Sequence, residues 1–418
     1  MANGNAYKNQ FSAEDIINKL FQKGLMDENN TGFLQTLIDN SLIYNENVPF
    51  WSEAFLVEGQ EYPANLADNK INPAWTVRSF QTRMTPMADA MAPMSEVSQL
   101  DNEGYEEKTG SIYQYGKGLY QTSMGKIELK AKLRALNIQD QTILGGYVQS
   151  VADAIKTQNS RLSNLSAQTL SKGGAYSNLG QGFDGVRAIQ SSYIPSSNFK
   201  NAGTKVWSAS DCDIPSQIDS IIEAVKTEKG LADDFPFMLD IPIATVKNVL
   251  LKNAKVIAEV NRYLRLEAPD KVIIVTAGAS GIDTDVITME QLVGYSRSTL
   301  SKIPPIHVVT EKQSYQGFET TPVNVSGWEA NKVVLRPIGY AGVVAHAQPN
   351  EIAMYQSGEL NDSVSVNIAK AQGFLYVVNK TVNNGMFKSY HIDVLGRYAP
   401  VLNQIQNHIV IDIATADA

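Results

Sequence analysis

The chain has 418 residues, is 43% hydrophobic and only 19% charged, and carries 35 Lys and Arg against 43 Asp and Glu, a formal net charge of −8. That apolar content excludes a disordered or low-complexity protein, which cannot bury enough surface to offset the entropy of ordering, and the acidic balance argues against a reader of nucleic-acid sequence, which needs a basic face to replace counterions at the phosphates. A charged fraction below the roughly 25% usual in soluble domains points to surface that a partner covers, because interfaces deplete charge at their centres.

Length alone suggests two or three domains. The single cysteine, Cys212, cannot form an internal disulfide, so a reducing compartment fits. The polar N-terminus lacks the apolar core of a secretory signal, and no run of about 18 apolar residues occurs, so the chain reads as neither exported by that route nor membrane-spanning.

The first 75 residues read as an arm, with short helical patterns at Ser12–Lys23 and Phe33–Ile43 between Asn/Gly-rich stretches. Four lysines against ten carboxylates give this arm a net charge of −6, most of the excess of the whole chain. Residues 76–134 read as a long two-stranded excursion. Its returning limb, Lys126–Arg134, alternates Ile127, Leu129, Ala131 and Leu133 with Lys126, Glu128, Lys130, Lys132 and Arg134, one face apolar and the other mostly basic. The acidic stretch Ser95–Gly110 suits a solvent-exposed tip. In the outgoing limb, Met84, Met87, Met91 and Met94 share one face of a short helical turn, an ordinary hydrophobic contact or, given the adaptability of methionine, a repeated contact between subunits.

From Asp140 to Ser171 runs the longest helical pattern, with Leu144, Val148, Val151, Ile155, Leu162 and Leu165 in a narrow stripe and a stop at Lys172-Gly173-Gly174. At 1.5 Å per residue it is a strut of roughly 48 Å. Residues 207–335 then alternate in α/β fashion: a helix opened by Asp213 and Pro215 and closed by Gly230, a strand Phe237–Ile241, a helix Ala244–Leu264, and strands Lys271–Thr276 and His307–Val309. The last segment is rich in strands, at Val333–Arg336, Gly342–Ala347, Ile352–Tyr355, Phe374–Val378, Met386–Val394 and Ile409–Ile413, with a hairpin signal at Asn383-Asn384-Gly385.

Motifs that could carry chemistry fail on context. Gly180-Gln181-Gly182-Phe183-Asp184-Gly185 matches a dinucleotide-binding pattern by letter, but it follows a helix and a Ser/Asn linker where a buried strand is required, and no helix follows. His307, His346, His391 and His408 are scattered, with no partner at metal-ligand spacing, and Cys212 has no nearby His. The residues point to no catalytic, cofactor or metal site.

The order of parts resembles the major capsid proteins of tailed bacteriophages, the HK97-like fold. The residues that carry the likeness are Ile143–Gly174 as a spine helix, Trp207–Pro215 leading into Asp219–Val225, and the β-rich return from Val333 through Tyr398. The resemblance implies an α+β fold with an N-arm (1–75), an extended β-hairpin loop (76–135), a peripheral domain (136–205 and 336–397) and an axial α/β domain (206–335 and 398–418). It implies a structural protein without enzymatic activity or cofactor, whose copies form hexamers and pentamers of an icosahedral shell around double-stranded DNA, assembled in the host cytoplasm, with scaffold, portal and head decoration proteins as partners and no membrane. A short arm implies a separate scaffold or none. Some members cross-link a Lys to an Asn; Lys108 and Lys117 lie in the loop, but no surrounding residues identify a pair. The acidic arm is expected near the basic face of Lys126, Lys130, Lys132 and Arg134 on a neighbour. The alternatives are an encapsulin-like compartment, a phage tail or decoration protein, and, from a different class, a nucleotide-binding oxidoreductase.

Overall fold

The structure is a computed structural model, and it describes residues 50–59, 61, 73–79, 106–122, 141–174, 192–267, 275–277, 281–283, 287–309, 312–315, 323–357, 364–384 and 387–417. In chain order the elements are α1 (Phe50–Ala54), β1 (Phe55–Val57), β2 (Ala74–Ser79), β3 (Glu106–Ser111), β4 (Tyr113–Thr122), α2 (Gln141–Ser171), β5 (Phe199–Asn201), α3 (Ile214–Lys229), β6 (Phe237–Pro242), α4 (Ile243–Asn248), α5 (Ala254–Glu267), β7 (Val275–Ala277), β8 (Gly281–Asp283) and α6 (Met289–Ser296). There follow β9 (Ile306–Val309), β10 (Lys312–Tyr315), β11 (Val323–Ser326), β12 (Lys332–Pro337), β13 (Gly342–His346), α7 (Asn350–Ser357), β14 (Val364–Ala371), β15 (Leu375–Asn384), β16 (Phe387–Leu402) and β17 (Ile409–Asp412). The fold is therefore α+β. Its described residues fall into two compact units, one drawn from 50–75, 110–163 and 344–400 and the other from 76–109, 164–343 and 401–417.

The first unit is organised by a six-stranded sheet in the order β1-β13-β16-β15-β14, with β4 also pairing β16. At 16 residues β16 is long enough to hold β15 along Phe387–Gly396 and β4 along Ser389–Tyr398. The hairpin expected at Asn383–Gly385 is present, because β15–β16 pairing continues to Asn384↔Phe387. The next hairpin, β14–β15, was legible as the alternation Val364, Val366, Ile368 but is absent from the strands read above. It closes through Gln372 (φ 52°) and Gly373 (φ 79°), two left-handed residues in succession.

Three expectations need correction. Ile352–Tyr355 is helical, part of α7: Pro349 cannot continue β13, and its carbonyl accepts from Ile352 N (3.1 Å) and Ala353 N (3.3 Å), while four apolar residues are too few to separate a period of two from 3.6. The single helix Ala244–Leu264 is broken into α4, a 3₁₀ turn and α5, because Asn253 restarts the helix, its Oδ1 accepting from Lys255 N and Val256 N at 3.1 Å each. The tip assigned to Ser95–Gly110 ends earlier than expected, since residues 106–110 lie in β3, which pairs β2. The C-terminal half of α2 is buried well beyond its apolar stripe. From Gln158 to Ser171 only Ser160 and Arg161 escape burial. Its polar side chains are accommodated: Gln158 Nε2 donates to Val394 O (3.1 Å), Trp51 Nε1 donates to Asn159 Oδ1 (3.3 Å), and Gln168 Nε2 donates to Asn164 Oδ1 (2.8 Å). α2 spans the expected residues, and Gly173 (φ 65°) and Gly174 (φ 90°) end it. The helices read at Ser12–Lys23 and Phe33–Ile43, the Lys126–Arg134 strand and the 180–185 glycines lie outside the described residues, as do the side chains of Leu144, Val148 and Val151.

The second unit holds a mixed five-stranded sheet, β5-β17-β12-β6-β9. β6 and β12 are antiparallel at its centre, while β5–β17 and β6–β9 are parallel. The central strands are buried on both faces: Val333, Val334 and Leu335 are fully inaccessible, as are Leu239 and Ile241. α3 forms where expected. Asp213 Oδ1 accepts from Ser216 N (3.2 Å), Gly230 closes the helix at φ 62°, and Ile218 and Val225 pack into the core with Val256, Val260 and Leu264 of α5.

Candidate functional site

The polar chemistry of this chain is concentrated in buried nodes, and the most charged sits in the second unit. Register places Arg336 of β12 opposite Met238, two residues from Asp240 of β6. Arg336 Nε donates to Asp240 Oδ2 at 2.6 Å and Nη2 donates to Oδ1 at 3.2 Å, while His307 Nδ1 of β9 lies 2.8 Å from the same Oδ1. Asp240 is fully buried and Arg336 is 1% exposed. Burial alone would raise the Asp240 carboxyl, but Arg336 and His307 outweigh it and hold the group below the ordinary carboxylate range. The spare guanidinium nitrogen Nη1 donates to the carbonyls of Gly339 and, at 3.4 Å, Pro337, so the node clamps the turn that follows β12. A carboxylate held by a guanidinium in this way is a poor proton acceptor; its chemistry is structural.

A second node joins the chain entering β5 to the loop before β17. Asn198, fully buried, donates through Nδ2 to the carbonyls of Ile405 (3.0 Å), Gln406 (3.0 Å) and His408 (2.9 Å), and its Oδ1 accepts from Lys229 Nζ at 2.6 Å. His408 Nε2 meets Leu170 O at 2.8 Å, and burial pushes its ring down to about 4, so it stays neutral near pH 7. Cys212 is buried, and burial with the neighbouring Asp213 and Asp211 raises its thiol, the opposite of what an activated nucleophile needs.

In the first unit the corresponding node is Arg397. Its Nη1 donates to Asn350 Oδ1 (2.6 Å) and its Nε to Ile112 O (3.4 Å), tying β16 to α7 and to the residue between β3 and β4; burial lowers the guanidinium to about 10. Tyr398 OH bonds Gln158 Oε1 at 2.9 Å, and Phe374 packs edge-on against Tyr398 and Trp51. Lys117, named above for its place in the expected loop, stands opposite Val394 in the β4–β16 ladder.

Met84, Met87, Met91, Met94, Lys126, Lys130, Lys132 and Arg134 lie outside the described residues. Among the described residues no group of three or more His, Cys, Asp or Glu could hold a metal ion, and no helix is long and apolar enough to cross a membrane. Sequence reasoning missed Asp240 and Arg336. The signal was available, a charge set against apolar neighbours in each of two strands, Asp240 in Phe237–Pro242 and Arg336 after Val333-Val334-Leu335, where an unpaired ion would be prohibitive.

No family profile matches the chain, and no curated protein matches it. Among solved structures it is similar to a phage-related protein from Bordetella bronchiseptica RB50 (14% identity, 90% of this chain and 96% of that one, TM-score 0.47). It is also similar to a prophage capsid protein from E. coli CFT073 (14% identity, 92% and 99%, TM-score 0.46) and, more remotely, to a virus-like particle from Pyrococcus furiosus (10% identity, 90% and 97%, TM-score 0.36). The chain thus spans nearly the whole length of these three proteins, at TM-scores below 0.5 that leave its function to be argued from its own residues.

Proposed function

We propose that this chain is the major capsid protein of a tailed bacteriophage, a structural subunit that self-assembles into the hexamers and pentamers of an icosahedral head enclosing double-stranded DNA. The observation that carries the reading is the order of the parts. An N-terminal segment adds α1 and β1 to a long-stranded sheet, paired strands follow at 74–79 and 106–111, a 31-residue helix leads into a mixed α/β unit, and the chain returns through the 16-residue β16 before its last strand closes the second sheet. That is the sequence of parts for which the HK97-like resemblance was drawn. The buried nodes support a structural role, because each uses its polar groups to tie together segments distant in the chain.

On this reading the N-arm, the excursion, the peripheral domain and the axial domain have the boundaries given above. Met84, Met87, Met91 and Met94 contact neighbouring subunits, and the basic face of Lys126, Lys130, Lys132 and Arg134 meets a neighbour's acidic arm. Scaffold, portal and decoration proteins are its partners in the virion. Each surface pair contributes about 0–1 kcal/mol, multiplied by the copies in a shell. Electron microscopy of the purified protein is the test. Closed icosahedral shells are expected; tubes would indicate a tail protein, and a small oligomer that binds a nucleotide would overturn the reading in favour of an oxidoreductase. Shells recovered from infected or induced cells without DNA would favour an encapsulin-like compartment. Reversing the four basic charges should lower shell yield while leaving the subunit folded.

A further inference from the structure

The large apolar side chains that the second unit leaves exposed are not scattered. Phe199 (42% exposed) opens β5, Ile338 (54%) and Tyr340 (55%) form the turn after β12, Leu300 (46%) lies in the loop before β9, and Leu266 (65%) is in the last turn of α5. The sheet topology brings four of them to one end, and helix packing sets Leu266 beside them. β5 starts beside the start of β17, which is antiparallel to β12, and β12 ends where β6 begins, with Pro337 opposite Phe237. The Ile338 amide donates to Pro236 O (3.2 Å), fixing the turn against the entry to β6. β9 runs parallel to β6 from Ile306, and Leu239 N donates to Pro305 O (2.9 Å), so the Leu300 loop is at the same end. Tyr263 of α5 packs on Tyr295 of α6 at 5.8 Å, and Tyr295 OH accepts from Lys302 N, which places the last turn of α5, with Leu266, beside that loop. Five strands at about 4.8 Å spacing make this rim roughly 19 Å wide.

Two further features distinguish the rim from incidental exposure. Its most prominent part is held rigid: Arg336 reaches from the buried Asp240 node to the Gly339 carbonyl between the two exposed side chains, and Gly339 takes φ 111°. A buried ion pair adds little net stability, and the use that suits it is fixing one conformation, here of a turn that displays apolar surface. The rim also carries exposed charges of both signs that have no ion-pair partner among the described residues, Asp233 and Asp234 in the loop before β6 and Arg297 and Lys302 in the loop before β9, at the same end of two adjacent strands. An apolar strip flanked by unpaired charges of both signs is complementary to itself.

We infer that this rim is a contact between copies of the chain, with Ile338 and Tyr340 as its apolar anchors and the Asp233–Asp234 and Arg297–Lys302 pairs of facing copies meeting across it. The inference rests on the self-assembly proposed above and names a surface that does it. The test uses the full chain, followed by sedimentation velocity and electron microscopy, with hydrogen exchange to show that each variant is folded. Ile338→Ser with Tyr340→Ser, at positions outside the core, should lower the assembled fraction at least tenfold. Asp233→Lys with Asp234→Lys, and separately Arg297→Glu with Lys302→Glu, should each impair assembly, and mixing the two charge-reversed chains should restore it. If wild type assembles and all three variants assemble alike, or if mixing brings no recovery, the rim is not the contact while the capsid reading stands. A wild-type chain that stays monomeric refutes both.

Discussion

Replacing Asp240 by Asn probes the central node most directly. The carboxylate receives two guanidinium donors at 2.6 and 3.2 Å and has His307 at 2.8 Å, with no solvent access. At about 3 Å and an effective dielectric of roughly 20, a unit-charge pair is worth about 5 kcal/mol, while burying each ion costs several kcal/mol, so the pair as a whole is close to neutral. Removing one partner is different. Asp240→Asn leaves the Arg336 charge buried and uncompensated, and one of its two amide positions is a donor facing donors, so a loss of about 3–5 kcal/mol is expected. Hydrogen exchange of the β6 and β12 amides reads this locally, without assuming that the two units unfold together; protection should fall by roughly two to three and a half orders of magnitude. The double variant Asp240→Leu with Arg336→Met should recover most of that protection and loosen only the Ile338–Tyr340 turn, which loses the guanidinium bond to Gly339. Loss below about 1 kcal/mol in the single variant, or a double variant as damaged as the single, would refute the reasoning. Because the folded carboxyl titrates below its ordinary range, this stabilisation is present above about pH 4 and is lost as pH falls through the lowered value.

His408 predicts a second pH effect at a milder pH. Its ring is pushed down to about 4 from an ordinary 6.5, so the fold excludes its protonated form; stability is full above about pH 6.5 and falls by roughly 3 kcal/mol as pH drops towards 4, and His408→Gln should flatten the melting temperature over that window. Close backbone approaches predict severe losses at two glycines: a Cβ at Gly342 would lie 1.8 Å from Val401 O and one at Gly327 2.3 Å from Asn164 O, so Gly342→Ala and Gly327→Ala should yield insoluble or strongly destabilised chains. Gly294, inside α6 with nothing within 4 Å, is the control, and Gly294→Ala should stabilise by about 0.5–1 kcal/mol in a denaturant titration. Asp213→Ala removes the cap of α3 and should cost about 1 kcal/mol by the same measurement.

Local rules made several elements readable from the sequence. Asp213, Pro215 and Gly230 mark both ends of α3, Lys172-Gly173-Gly174 marks the end of α2, and Asn383–Gly385 marks the β15–β16 hairpin, because capping and turn chemistry are settled by a few adjacent residues. Short apolar runs were not readable. Ile352–Tyr355 fits either period over four residues, and its helix is decided by the Pro349 carbonyl and by the packing of Ile352 against Tyr376 and Val378. The narrow stripe of α2 did not show which of its polar side chains are buried, since a hydrophobic stripe counts only apolar side chains. Gln158, Asn159 and Gln168 are buried because partners far along the chain, Val394 and Trp51 among them, or one turn away, Asn164, satisfy them.

The sequence by itself determined that this is a low-charge, acidic α+β chain with a long helix, an α/β segment and a β-rich return, since composition and periodicity are local properties of the string. Only the tertiary structure decided where its charges and exposed apolar groups meet. Asp240 and Arg336 are 96 residues apart and become a buried pair solely through the register of β6 and β12. Phe199, Leu266, Leu300, Ile338 and Tyr340 are dispersed over 142 positions and become one rim because strand order and direction deliver four of them to the same end of a sheet and the packing of α5 on α6 brings Leu266 beside them.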